Sequence, residues 1–270
     1  MIKKRLHVIM PMAGEGNRFK EVGIETPKPL LKVDGKEIFR RAVDSIFDFG
    51  EYTENIDYMG YGVEPQFTFI VRKDHIDEWH IDDIIHAYYP EAYVLYVEET
   101  TRGALETVMK AMPFMEENDV IMSMDCDFAF RFTYHLNHIK TMMGLGNICP
   151  PMLMTFYSKD PKYSFIVPSR EPGIFSYAYE KKQVSSFAIA GCYLYGDYET
   201  FKKYSEKVAR LYDNHMYDTK EMYASLYFTE VADELICMYD DMNFRRDMLW
   251  SFNTPEDFDK YDPRKSVWDK

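Results

Sequence analysis

Nowhere in the 270 residues is there an apolar run long enough to span a membrane. Behind the basic start Met1-Ile2-Lys3-Lys4-Arg5 the hydrophobic stretch is broken by Pro11 and Gly14, too early for the apolar core of a secretion signal. A cytoplasmic protein without membrane insertion is the expectation. Cysteine is also scarce. Cys126, Cys149, Cys192 and Cys237 lie far apart with no C-x-x-C pair, which argues against a disulfide framework or zinc knuckle and favours reduced core thiols. The seven histidines include no H-E-x-x-H, and a lone pair such as His135 and His138 on one helix face more often serves surface or packing than metal. Positive charge is in deficit: 32 Lys+Arg against 45 Asp+Glu give −13, which argues against a nucleic acid or an anionic membrane as partner.

What is present is apolar and aromatic. With 46% hydrophobic and 16% aromatic residues the chain is globular and heavily packed. A chain of this length buries about three quarters of its unfolded surface, enough for a core without staples.

Leu6 to Met12 reads as a short buried strand that feeds the loop Gly14-Glu15-Gly16-Asn17-Arg18, and Thr26-Pro27-Lys28-Pro29-Leu30 closes the next segment. Ile38, Phe39, Ala42, Val43, Ile46 and Phe47 fall at helical spacing over residues 36–49, ending at Gly50, and Tyr52 to Gln66 reads as loop. Strands follow at residues 67–71, 92–97 and 120–124, with helices predicted over 74–89, stopped by Pro90, and 103–112. This β-α-β-α-β-α-β series predicts an α/β fold with a mainly parallel sheet and helices on both faces. The second half reads as mixed: strands at 152–157, 164–167, 174–178 and 186–195, then helices at 199–212 and 220–234. With no flexible linker and no repeat, one continuous domain over 1–260 is expected, its halves being 1–130 and 150–260, with a loosely held tail at 261–270.

In open α/β sheets ligands bind beyond the carboxyl ends of the strands. Two features sit there. In the Gly14 to Arg18 loop the glycines let backbone amides approach an anion, and Arg18 adds a planar donor for phosphate oxygens. Alone, such a loop equally fits an ordinary strand-to-helix turn. Its surroundings strengthen the phosphate reading: residues 1–41 hold ten basic and five acidic residues, net +5, leaving −18 for the remainder. That asymmetry suits a small polyanion rather than a polymer. The loop is neither a Walker A motif, lacking G-K-[ST], nor a dinucleotide fingerprint, lacking the third glycine. Lys28, flanked by Pro27 and Pro29, cannot lie mid-helix and is held at little entropic cost, as a cleft cation or a surface turn lysine. Asp125-Cys126-Asp127 puts two carboxylates at a strand end, where a hard cation such as magnesium, or a hydrogen-bond network, would compensate them.

With Ile9 to Phe19, Pro27-Lys28-Pro29-Leu30-Leu31, Asp34-Gly35-Lys36, Arg102-Gly103-Ala104, Asp125 to Asp127, Pro161 to Phe165, Glu180-Lys181-Lys182, Ala190-Gly191-Cys192-Tyr193 and Trp250 to Asp257, the chain resembles the sugar-phosphate nucleotidyltransferases of GT-A-like fold, especially bacterial capsular-polysaccharide members. The resemblance runs almost end to end. It implies a three-layer GT-A/Rossmann-like sheet whose second half binds the acceptor. It also implies a reaction between a nucleoside triphosphate and a sugar 1-phosphate that gives a nucleotide sugar and pyrophosphate, for surface or capsular polysaccharide.

By the same resemblance Arg18 and Lys28 are catalytic, near the leaving pyrophosphate and the reacting phosphates. The nucleotide is contacted by Met12, Ala13, Gly14, Glu15, Gly16, Asn17, Gly103 and Asp125, with Ala13 and Gly103 facing the base. Mg²⁺ is held by Asp127, with Asp125 a further ligand, while Ser164, Glu180, Lys181 and Gly191 serve the acceptor. Glu180-Lys181-Lys182 equally reads as a solvated charge run. The chain departs from the family pattern at Ser251, where many relatives carry an acidic metal ligand, and at Asn253, where they carry glycine. Glu221 and Asp218 are left as candidate substitutes for that ligand.

Three alternatives stay open from the sequence: a GT-A glycosyltransferase consuming a nucleotide sugar, a non-catalytic nucleotide sensor, and a cytidylyltransferase acting on a phosphocholine-like acceptor. The last would draw on the tyrosines and phenylalanines of residues 157–195 to enclose a cation. The base, the acceptor and homo-oligomerisation are also left open.

Overall fold

The computed structural model describes residues 5–46, 65–131, 138–139, 142, 149–242, 248–262 and 264. Its first strand, β1 (Leu6–Pro11), is buried on both sides, as a run of Leu, Val, Ile and Met at the centre of a sheet must be. Strands β4 (Pro65–Arg72) and β6 (Val120–Met124) flank it in parallel, and β5 (Tyr93–Val97) lies parallel to β4 at the edge. Between them in the chain come two short strands, β2 (Lys32–Val33) and β3 (Lys36–Glu37), which pair as a small antiparallel ribbon.

The sheet then changes character. Strand β11 (Phe187–Asp197) runs antiparallel to β6 and to β8 (Met152–Tyr157), β12 (Cys237–Asp241) lies parallel to β8, and β10 (Ile174–Tyr179) and β9 (Phe165–Pro168) complete the far edge antiparallel. Among the described residues the order is β5-β4-β1-β6-β11-β8-β12-β10-β9. The β-α-β crossovers make β5, β4, β1 and β6 parallel, and the second half joins the same sheet with the mixed polarity expected of it, β12 lying parallel to β8 and the other pairs antiparallel.

Helices cover both faces. On one, α2 (Ile38–Ile46) and α4 (Ile81–Tyr88) pack Phe39, Val43, Ile81 and Ile85 onto Leu6, Val8, Met10 and Met122. On the other, α5 (Ala104–Met109), α6 (Tyr198–Asp213) and α7 (Ala224–Ala232) pack Leu105, Val108, Phe201, Tyr204 and Tyr227 onto Ile9, Ile121 and Tyr195. The alternation of Leu6, Val8 and Met10 against Ile9 is the period-two signature of a strand with two buried faces. Each such large side chain contributes on the order of 1.5–3 kcal/mol by leaving water.

Several expected elements shift. The helix expected over 74–89 is two, α3 (Lys73–Trp79) and α4, because His80 adopts φ 50° and ends the first while opening the second. The helix expected from residue 220 begins at Ala224. The expected 36–49 helix is β3 followed by α2, and Phe47 to Gly50, like the 52–64 loop, lies outside the described residues. Strand β12 was not anticipated, nor was the pairing of β7 (Phe128–Arg131) with β13 (Met248–Ser251). Tyr261, placed in the loose tail, sits against Trp250 and Phe252 and accepts a hydrogen bond from Arg41, while Asp262 O accepts from Trp250 Nε1; residues 263 and 265–270 lie outside the described residues. No described helix is long and apolar enough to cross a membrane. All four cysteines are buried thiols. His138 lies beside Asp240, and His135 is outside the described residues.

Candidate active site

Strands β1 and β6 are adjacent and parallel, with Ile9 opposite Ser123, so the segments leaving Pro11 and Met124 emerge on one edge of the sheet. The first segment is the glycine turn. Met12 continues the sheet pairing by donating to Ile70 O at 2.7 Å, and Gly16 takes φ 69°, a left-handed conformation that favours glycine, to open the short turn α1 (Asn17–Lys20). The second segment is Asp125-Cys126-Asp127. A cleft of about 440 Å³ lies between them, lined by Met12, Gly14, Gly16, Asn17, Arg18, Lys28, Asp125 and Asp127, and also by Glu221 and Asn253.

Lys28 reaches in from a 3₁₀ turn (Lys28–Leu30) fixed by Pro27 and Pro29. Its Nζ lies 2.5 Å from Asp127 Oδ2. Burial alone would lower the lysine's pKa, but the negative charge of Asp127, with Cys126 and Asp125 nearby, carries it above its ordinary value, so the group is an ammonium. Arg18 lines the same cleft, exposed and with no hydrogen-bond or ion-pair partner among the described residues. Two cations thus face the glycine turn, one anchored and one unengaged.

The carboxylates differ in their supports. Asp127 is 9% exposed, and its backbone oxygen accepts from Phe252 N at 2.7 Å, which ties the Trp250 to Asn253 segment beside it. Asp125 donates its backbone N–H to Gly191 O at 2.8 Å. Burial, then the like charge of Asp127, pushes its carboxyl well above the usual carboxylate range. Burial likewise pushes the Cys126 thiol up. Among the described residues no group of three or more His, Cys, Asp or Glu is placed to hold a metal ion; Glu221 lines the cleft that holds the aspartate pair. Ser251 is buried and accepts from Asn253 Nδ2 at 3.0 Å.

Not every predicted residue reaches this cleft. Glu15 turns outward and accepts from Asn17 and Thr100, hydrogen bonds that hold its carboxyl below the ordinary range. Ala13 is buried beneath the turn. Gly103 is pressed against the next chain segment: a Cβ there would lie 2.6 Å from Met222 N and O. Gly191 packs closely too: a Cβ at this position would lie 2.6 Å from the Phe128 ring and 2.7 Å from Asp125 Oδ2. Its missing side chain makes space for the Asp125 carboxylate.

Ser164, Glu180 and Lys181 form a neighbouring cluster. Ser164 Oγ and Ser225 Oγ both donate to Glu180 Oε2, the latter at 2.8 Å, and Lys181 Nζ lies 3.6 Å from Glu180 Oε1. Lys181 Nζ also donates to Tyr223 OH at 3.1 Å, above the tyrosine ring. Burial, then the charges of Asp125 and Glu180, raise the Tyr193 phenol well above the usual value. Sequence reasoning missed Ser225 and Tyr223, whose roles depend on a fold contact 45 and 42 residues away.

No protein-family model matches the chain, and no curated protein matches it by sequence. Solved structures do. The nucleoside-diphosphate-sugar pyrophosphorylase of Vibrio cholerae superposes with a TM-score of 0.69 at 20% identity, covering 94% of this chain and 98% of that one. The inositol-1-phosphate CTP transferase of T. maritima gives 0.66 at 15% identity, over 96% and 92%. A UDP-glucose pyrophosphorylase complexed with UDP-glucose gives 0.67 at 13% identity, over 94% and 96%. The chain therefore has the fold these nucleotidyltransferases share, over nearly its whole length.

Proposed function

We propose that the protein is a nucleotidyltransferase that joins a nucleoside triphosphate to a sugar 1-phosphate, giving a nucleotide sugar and pyrophosphate. The observation that carries this reading is the meeting of Arg18, Lys28, Asp125, Asp127 and the Gly14 to Asn17 turn around one cleft at the carboxyl ends of β1 and β6. The shared fold supports it, and the pyrophosphorylases and the CTP transferase among its structural neighbours point to this reaction class.

In this reading an oxygen of the acceptor phosphate attacks the α-phosphorus of the triphosphate. A new P–O bond forms, the bond from the α-phosphorus to the bridging oxygen of the β-phosphate breaks, and pyrophosphate leaves with the electron pair. A phosphate nucleophile is already ionised at neutral pH, so the protein needs cations and alignment rather than a general base. The glycine turn brings backbone close to the triphosphate, Arg18 meets the leaving pyrophosphate, and Lys28 neutralises charge growing on the α-phosphoryl oxygens. Asp125 and Asp127 fit a divalent cation: two hard oxygen donors crowd together, Asp125 at an electrostatic cost that such an ion relieves, and Mg²⁺ takes one or two carboxylates with water and phosphate oxygens. Mg²⁺ held there supplies positive charge to the phosphates. Glu180 and Lys181 serve the acceptor's hydroxyls and phosphate. The product is an activated glycosyl donor of the kind consumed in surface or capsular polysaccharide synthesis, and its precursors are cytoplasmic metabolites.

The test is pyrophosphate release by purified protein with Mg²⁺, each common NTP and dNTP, and a panel of sugar 1-phosphates plus phosphocholine. Release that needs both a nucleotide and a sugar 1-phosphate supports the reading. Release with phosphocholine alone moves the acceptor to a choline-like phosphate, and nucleotide-sugar breakdown without pyrophosphate points to a glycosyltransferase.

A further inference from the structure

Residues 221–225, Glu-Met-Tyr-Ala-Ser, lead into the first turn of α7 and touch both halves of the site. Met222 and Ala224 are buried, while Glu221, Tyr223 and Ser225, which alternate with them, carry polar groups toward the site. Glu221 lines the cleft, Tyr223 OH accepts from Lys181, and Ser225 Oγ donates to Glu180. The backbone of this strap is pinned on the nucleotide side, with Met222 N donating to Arg102 O at 2.8 Å and Leu105 N to Met222 O at 3.0 Å. Gly103 is what lets the strap lie so close. On the acceptor side Thr229 of α7 donates to Ala178 O of β10.

We propose that Ser225 and Tyr223 are positioning residues for the acceptor. Ser225, 1% exposed, acts with Ser164 on a single carboxylate oxygen, Glu180 Oε2. Two donors on one oxygen fix the carboxylate's rotation, and Oε1, 3.6 Å from Lys181 Nζ, keeps the capacity to accept from a hydroxyl-bearing acceptor. Tyr223 fixes Lys181 twice, through its hydroxyl at 3.1 Å and its ring face at 4.3 Å, and so sets an ammonium for the acceptor's phosphate. Lys181 sits at φ 45°, a conformation a non-glycine residue keeps only when its surroundings hold it there. The ligand class this arrangement fits is a phosphorylated polyol, with hydroxyls to Glu180 and phosphate to Lys181. This inference rests on the nucleotidyl-transfer reading above.

The experiment is steady-state pyrophosphate release with glucose, galactose and mannose 1-phosphates, comparing the unsubstituted protein with Ser225→Ala, Ser225→Thr and Tyr223→Phe. Ser225→Ala is expected to raise acceptor KM about tenfold while nucleotide KM and the nucleotide-induced rise in Tm stay unchanged, the effect of losing one hydrogen bond to a charged group. Ser225→Thr, which keeps the hydroxyl, is expected to restore most of it. Tyr223→Phe keeps the ring and the fold and is expected to raise acceptor KM alone. An unchanged acceptor KM in both Ser225→Ala and Tyr223→Phe, or acceptor and nucleotide KM rising together with a fall in Tm, overturns the positioning role. Absence of pyrophosphate release by the unsubstituted protein with all three sugar 1-phosphates overturns the sugar 1-phosphate reading, and this role with it.

Discussion

Lys28 and Asp127, 99 residues apart in the chain, meet with Nζ 2.5 Å from Oδ2 at the floor of the cleft. The pair joins the Pro-Lys-Pro turn to the acidic end of β6, so the position of the one cation anchored by an aspartate in this cleft depends on the fold of both segments. A triphosphate entering between them would share the ammonium with Asp127.

Lys28→Ala is expected to lower turnover by at least about 100-fold, the scale of losing an electrostatic group that acts on the reacting phosphates. It also strips Asp127 of its counter-charge, so the variant should lose about 2 kcal/mol of stability in denaturant unfolding. Near-normal turnover in a folded variant would remove Lys28 from the chemistry.

Gly191→Ala puts a methyl group 2.6 Å from the Phe128 ring and 2.7 Å from Asp125 Oδ2, on a backbone with φ 66°. A loss of about 1–3 kcal/mol is expected from strain and overpacking. Asp125 must also move, so pyrophosphate release should fall further than stability explains; equal activity and Tm would show that the carboxylate's place does not matter.

Asp119 sets part of the acid limit of folding. Burial alone would raise its pKa, but hydrogen bonds from His7, Arg5 and the Glu116 backbone bring it down to about 2. A folded pKa below the unfolded value of about 3.9 gives stability that is fully present above pH 4 and is lost as the pH falls toward 2, about 2 kcal/mol in all. Denaturant unfolding between pH 6 and pH 2 should therefore show a steeper acid loss for the unsubstituted protein than for Asp119→Asn; parallel curves would exclude this contribution.

The first half of the fold was legible because fully buried strands are continuous apolar runs, and β1, β4 and β6 lie within a residue or two of their expected bounds. So were the cleft's glycine turn, Lys28 and the aspartate pair, since the ends of adjacent parallel strands share an edge. Strand β12 was not legible, because Cys237-Met238-Tyr239-Asp240-Asp241 ends in charges and its partners, β8 in parallel and β10 in antiparallel pairing, are distant in sequence. The β7–β13 ribbon was missed for the same reason, its partners Phe128 and Ser251 being distant in sequence. The closeness of Gly191 to Asp125 was not legible either, because the two meet only once β6 and β11 pair.

Transfer at the α-phosphorus is followed by tracing a labelled phosphate. With Mg²⁺, a sugar 1-phosphate and the reactive triphosphate labelled at its α-phosphorus, the label should pass wholly into a product that also contains the sugar. The same triphosphate labelled at the γ-phosphorus should release its label as pyrophosphate. Label from the γ-position in the sugar product, or as orthophosphate in step with the reaction, would contradict the account.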